Sequence, residues 1–289
     1  MKKNPLCRRP WGLWIPLALA AALLAVVVLA GQLAPYDPNA QIFPVLSAPS
    51  PAHPAGTDQL GRDLLSRILV GLRTSLISTL VLVAAISLTG AAVGVACGWR
   101  GGWLDGLLMG ISDLFLAFPG LVFALAIAAL LGGGLQNAVL ALAVVGWPKY
   151  ARLARSQTLS LKQAGFLDAA RLAGDTGWQM VRRHILPGIA GPVLVTALLD
   201  LGTMLMELAG LSFLGLGARP PAAELGSMMS GGRSLLQTHP WVILGPGAAI
   251  FLAVAVLNLL GDAVRDRLDP QNPPYETGDI PNGLEGDRT

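Results

Sequence analysis

Apolar blocks alternate with short polar ones along most of the chain, and each block has the length of a membrane crossing. A spanning helix needs about 20 predominantly apolar residues. Blocks of that order occupy residues 11–34, 74–98, 104–131, 135–152, 188–216 and 241–262. Six spans predict an all-α membrane protein. Pro119 predicts a kink in the third span, and Pro246 with Gly247 a bend near the start of the sixth. Gly132-Gly133-Gly134 predicts a tight turn between the third and fourth. Lys2, Lys3, Arg8 and Arg9 precede the first block, which is longer than the 7–15 residues of a signal-peptide core. It is therefore read as a first span with the N-terminus inside. Residues 35–71 are Pro-rich and polar, an external connection; the Gly- and Pro-rich stretch between spans five and six predicts an external loop or a re-entrant segment. The polar tail 271–289 is expected to be disordered. The resulting division is 1–72 (tail, first span, external segment), 73–264 (a core of five spans) and 265–289 (a cytoplasmic tail).

Composition strengthens the membrane reading. The 289 residues are 53% hydrophobic and 13% charged, with a mean hydropathy of +0.60, against roughly 25% charge in a soluble domain. Cys7 and Cys97 offer neither metal-ligand spacing nor a disulfide framework. The net charge of +3 needs no nucleic-acid partner. Of the 20 Lys and Arg, the N-terminus, Arg100, residues 149–183 and the tail hold four, one, seven and three. Those segments are the inner ones if the N-terminus is inside, and Arg62, Arg67, Arg73, Arg219 and Arg233 fall outside. The positive-inside rule thus predicts both termini in the cytoplasm.

A polar, Arg-containing interruption runs from Ala164 to Pro192, AGFLDAARLAGDTGWQMVRRHILPGIAGP. Phe166, Leu167, Ala170 and Ala173 mark one helix face. Gly174 can end that helix, Asp175 or Thr176 can cap the next, and Pro187 is expected to stop it. Small side chains at Ala169, Ala170 and Gly174, ringed by Asp168, Arg171, Arg182 and Arg183, suit close approach by another protein. An ordinary basic cytoplasmic loop accounts for the same composition.

The order of those residues, Asp168-Ala169-Ala170, then Gly174, then Leu186-Pro187, resembles the coupling loop of ABC-importer permeases. That family most often has Glu where Asp168 stands. Three further stretches are similar to its peptide and nickel branch. They are Gly56-Thr57-Asp58 with Gly61-Arg62-Asp63, Gly210 to Gly217 (GLSFLGLG), and Asn258 to Asp262 followed by Arg265 to Pro270. The resemblance implies a six-helix permease fold like that of the methionine importer, with a coupling-helix loop at Asp168, Ala169, Ala170, Arg171, Gly174, Leu186 and Pro187. It implies a second homologous permease, two ATP-binding cassette subunits below and a solute-binding protein outside, in a bacterial inner membrane. ATP and Mg are expected on the ATPase subunits, with no cofactor or metal on this chain. The chain has no GxxxxGK[ST] loop and no Gly-Lys dipeptide, so hydrolysis belongs to a partner. No other catalytic motif identifies it as an enzyme.

Around the second similar stretch, Thr57 or Asp58 could cap a short helix with an Asp63–Arg67 pair on it. Such a helix lies at the interface or contacts substrate. Inside the spans, Asp113, Asp200, Glu207 and Asn258 require an explanation. Asp200 and Glu207, seven apart, lie on one side of span five. Either they line a translocation path or they bond to neighbouring helices. Met204, Met206 and His239 suit packing and loop positions better than a metal site. Residues 199–210 resemble the nickel-type permeases slightly more, and that resemblance implies nickel slightly ahead of di- and oligopeptides as substrate. A gradient-driven secondary transporter is the alternative, but it expects inverted repeats and leaves the Asp-Ala-Ala loop unexplained.

Overall fold

A computed structural model describes residues 11–268. The basic N-terminus, Cys7 and the 271–289 tail lie outside the described residues. Apart from the non-helical segment 34–63 and short connections, the described residues are helical: α1 (Trp11–Leu33), α2 (Leu64–Arg100), α3 (Gly102–Leu116), α4 (Gly120–Leu130), α5 (Leu135–Lys162), α6 (Gly165–Leu172), α7 (Gly177–Met180), α8 (Leu186–Leu211), α9 (Leu225–Gly232) and α10 (Trp241–Leu268). Four continuous helical stretches are long and apolar enough to cross a membrane, and α3 with α4 forms a fifth as a bent pair. The fourth predicted span, 135–152, falls within α5, which is not one of these five. Its first half is apolar, and its second half carries Lys149, Arg152, Arg155 and Lys162. The predicted 72/73 and 264/265 divisions fall inside α2 and α10.

Several boundaries differ from the sequence pattern. Pro119 does more than kink a helix. Residues 117–119 separate α3 from α4, which meet at 93°. The second span begins at Leu64 rather than residue 74, because Asp63 caps it by accepting from the Ser66 amide at 2.8 Å. No separate short helix forms at Thr57 or Asp58. The expected Asp63–Arg67 pair is replaced by His53–Asp63 (2.8 Å) and Asp58–Arg67 (3.6 Å). A capping carboxylate turned back onto its own first turn is not available to a residue one turn ahead. Asp58, Arg62 and Arg67 are nonetheless buried, because they satisfy one another.

The predicted tight turn forms, with φ of 81°, 69° and 101° at Gly132, Gly133 and Gly134, a left-handed run that side chains disfavour. Between α8 and α10 the loop folds back as α9. Its fully buried cap, Glu224, accepts from Ser75 Oγ (3.1 Å) and from the amides of Gly226 (3.0 Å) and Ser227 (2.8 Å). The loop is thereby fastened to α2.

The closest helix packing joins α2 to α5. Gly90, Gly94 and Gly98 recur every four residues on α2, and each lies against α5 backbone or Cβ atoms. A Cβ at Gly90 would stand 2.5 Å from the Trp147 carbonyl, and one at Gly98 2.8 Å from Thr158 Cβ. Small residues at this spacing let two helices approach without intervening side chains, which is the main source of helix association in lipid. A second core joins α1, α2, α8 and α10 through Val27, Leu76, Leu205 and Ala253.

Candidate functional site

The segment between α5 and α8 is built as two helical turns and a continuation. Helix α6 ends as expected at Gly174, whose φ is 94°. Gly174 N–H donates to the Arg171 carbonyl and Asp175 N–H to that of Ala170, the paired bonds of a left-handed helix stop. Of the two candidate caps, Thr176 starts α7, and Gln179 returns a bond to the Thr176 amide at 2.7 Å. Asp175 instead faces Arg183 (3.2 Å) and His184 (3.4 Å).

Pro187 does not stop the helix. Residues Val181–Ile185 form a π turn in which Leu186 N–H donates to Val181, five residues back, and α8 follows directly. The wider turn accommodates a ring that has no N–H to give. Gly177 to Leu216 therefore runs as one helical stretch of 40 residues.

Only Leu167 of the predicted α6 face turns inward, against Val95, Met180, Ile185 and Ile189. Its complete burial contributes about 1.5–3 kcal/mol, enough to hold so short a helix down. The rest of the segment is open. Asp168, Ala169, Arg171, Gly174, Leu186 and Pro187 are exposed and Ala170 is half-buried. Leu172 is 91% exposed and Trp178 70%. Trp178, Gln179, Arg182 and Arg183 line a cleft beside it. The Asp168–Arg171 pair (3.2 Å), on the surface, contributes at most about 1 kcal/mol. Lys162 anchors the segment to the end of α2 by donating to the Trp99 carbonyl at 2.8 Å.

Along α8 the two acidic residues part company. Asp200 is buried and bonded to two residues of α5, Lys149 Nζ at 2.5 Å and Tyr150 Oη at 2.9 Å. Glu207 is half-buried and has no polar partner among the described residues. Thr203, between them, is exposed. Two more ion pairs tie α5 to α3, Arg155–Asp105 at 2.6 Å and Arg152–Asp113. Sequence reasoning missed Lys149 and Tyr150. The available signal was a basic residue directly after Pro148 in an otherwise apolar block.

A polar helical hairpin, opening directly into a membrane helix that carries buried charge, is the arrangement against which known proteins can be compared. A family model described as "Binding-protein-dependent transport system inner membrane component" matches residues 90–272. The chain belongs to this family. A probable D,D-dipeptide transport system permease protein of Escherichia coli K12 is 42% identical over 262 residues, covering 89% of this chain and 88% of that one. A glutathione transport system permease protein of Pectobacterium atrosepticum is 42% identical, covering 86% and 83%. A dipeptide transport system permease protein of Alkalihalophilus pseudofirmus is 40% identical, covering 78% and 74%. The fold is also that of a chain of the MetNI methionine ABC transporter, solved in inward-facing conformations. The TM-score is 0.56 at 22% identity, over 70% of this chain and 95% of that one.

As a binding-protein-dependent inner-membrane component, the chain is a multi-pass permease subunit of an ABC importer, and its remaining polar residues find places within that fold. Asn258 on α10 lies against Gly202 of α8, where any Cβ would strike its side-chain amide. Met204 packs beside the α2–α8–α10 core, Met206 is exposed, and His239 meets the Trp241 ring edge-on at 5.2 Å.

Proposed function

We propose that the chain forms, with a second homologous permease, the translocation path of an ATP-driven importer of short peptides. Two ATP-binding subunits sit below the permease pair, one docking from the cytoplasm on residues 164–187, where Asp168, Ala169, Ala170, Arg171, Gly174, Leu186 and Pro187 meet it, and a solute-binding protein delivers substrate from outside. Both termini are cytoplasmic. The observation that carries this reading is the exposed α6–α7 pair joined without a break to α8. A push received there travels as a rigid-body movement of the helix bearing Asp200 and Glu207. Small exposed side chains, two exposed apolar anchors and a cleft lined by Arg182 and Arg183 suit a protein partner with an acidic rim.

The relatives' names support peptides over nickel, since all three concern dipeptides or glutathione. No observation favours a gradient-driven transporter. The test is recovery of the tagged chain from detergent-solubilised membranes, with wild type beside Ala170→Asp. The ATPase and a second permease accompany wild type, and the ATPase is lost from the variant while the chain stays inserted. Dipeptide uptake falls with it. An ATPase retained by Ala170→Asp at undiminished uptake refutes the docking assignment.

A further inference from the structure

The residues that fasten the external segment to the bundle also enclose a cavity of about 310 Å³, between residues 58–67, the end of α8 and α9. Its lining carries three guanidinium groups, Arg62, Arg67 and Arg219, against one carboxylate, Asp58, among the described residues. That carboxylate is already saturated. Oδ1 accepts from the amides of Leu60 (2.9 Å) and Arg62 (3.0 Å), and Oδ2 from Arg62 Nε (2.7 Å). Arg67 Nε lies 3.6 Å from the same Oδ2, and its Nη1 donates to neutral oxygens, the carbonyls of Pro38 (2.9 Å) and Pro221 (3.4 Å) and the Asn39 side chain (3.3 Å). Arg219 gives one nitrogen to the Gly132 carbonyl at 2.5 Å. Three guanidinium groups thus share one carboxylate around one small cavity, and Arg219 has no ion-pair partner among the described residues.

A second observation points the same way. Ser212, in the lining, is 1% exposed, and its hydroxyl has no hydrogen-bond partner. An unpaired buried hydroxyl is costly, so its retention beside an excess of guanidinium charge marks a place completed by something else. Guanidinium groups and a hydroxyl together complement a planar oxyanion. Leu64, Met228 and Val242 supply apolar wall around them.

We propose that this cavity is a carboxylate site on the outer face of the permease that receives the C-terminal carboxylate of a short peptide. The proposal rests on the peptide-import reading above and on the topology that puts residues 35–63 outside. The carboxylate is the one anion every free peptide has, so a site for it selects the class without selecting side chains. A phosphate, such as a lipid headgroup, offers related oxyanion chemistry and is the competitor to be separated.

The test titrates the full chain, purified in detergent with the subunits that remain bound, with glycylglycine, glycylglycine amide and inorganic phosphate. Dipeptide uptake by cells is measured in parallel. Glycylglycine is expected to bind about ten-fold or more tightly than its amide or phosphate, the range of a charge-assisted hydrogen bond. Arg219→Gln and Ser212→Ala should each weaken it by about the same factor, while Arg233→Gln, outside the lining, leaves it unchanged. Ser212→Ala removes a group that has no partner, so it retains the fold where Arg219→Gln fails to. Equal binding of peptide and amide, or no effect of Ser212→Ala, overturns the proposal. Phosphate binding in preference to peptide makes the cavity a headgroup site and also overturns it. Uptake that persists beside such a result leaves the peptide-import reading standing; wild-type cells with no dipeptide uptake overturn both.

Discussion

The α2–α5 contact can be tested by adding one methyl group. At Gly94 a Cβ would stand 2.8 Å from Ala154 Cβ and 2.9 Å from the Arg155 amide nitrogen, and closer still to the Ala151 carbonyl oxygen. Carbon atoms prefer separations of about 3.5–4.0 Å, and the obstacles are backbone and Cβ atoms that cannot rotate away. The two helices must therefore part locally by about 1 Å, which forfeits a quarter to a half of each affected contact. Overpacking of this kind costs about 1–3 kcal/mol. Alanine also gains roughly 0.8–1 kcal/mol in helix propensity over glycine, which partly hides the clash. Gly110→Ala removes that complication, since a Cβ there has open space within the chain. The difference between the two variants isolates the packing term. Thermal unfolding of the purified chain in detergent, followed by tryptophan fluorescence, should place Gly94→Ala below Gly110→Ala. At about 2–4 °C for each kcal/mol, the gap is roughly 3–10 °C. Equal midpoints, or a more stable Gly94→Ala, would refute the close-packed glycine ridge.

Two further outcomes follow from the same geometry. Lys149→Met leaves the buried Asp200 with Tyr150 alone; removing one partner of a buried pair costs about 3–5 kcal/mol, less here because the Lys149 side chain is 54% exposed. A double-mutant cycle with Asp200→Asn should recover part of the loss, and strictly additive effects would show the pair to be uncoupled. Thr176→Ala removes a cap that contributes about 1 kcal/mol, so amide exchange at residues 179–181 should accelerate about five-fold, and unchanged exchange would contradict the capping box.

Legibility along the chain followed the range of the interactions involved. Gly174, Thr176, Pro119 and the triple glycine act through their own backbone, and their effects were readable residue by residue. The start of α2 was not, because Asp58, Arg62 and Arg67 read as a polar loop until their mutual satisfaction is visible. The extension of α5 to Lys162 was hidden for the same reason. Its cations are paired with Asp105, Asp113 and Asp200, 39 to 51 residues away in the chain, and no local pattern encodes such a pairing. The glycine ridge was within reach, since Gly90, Gly94 and Gly98 stand at helical spacing, but a search for apolar runs passes over small residues. Pro187 misled in the opposite sense. Its chemistry forbids an ordinary helical turn, and one extra residue in that turn lets the helix proceed. In the candidate site, the exposed hairpin was legible as a unit, whereas the partners of Asp200 were not.

The helical stretch from Gly177 to Leu216, whose geometry breaks only at Gly215 (φ 91°) beside its far end, has a mechanical consequence. At 1.5 Å per residue its 40 residues reach about 60 Å, roughly twice the thickness of a bilayer's hydrocarbon core. Such a rod is a lever with its fulcrum among the packed helices. With the pivot near mid-length each end lies about 30 Å from it, and a tilt of about 5° moves that end by roughly 2.5 Å, close to half a helical turn. The π turn at Val181–Ile185 lies near one end of that rod, where compliance subtracts least from the motion delivered along the remainder.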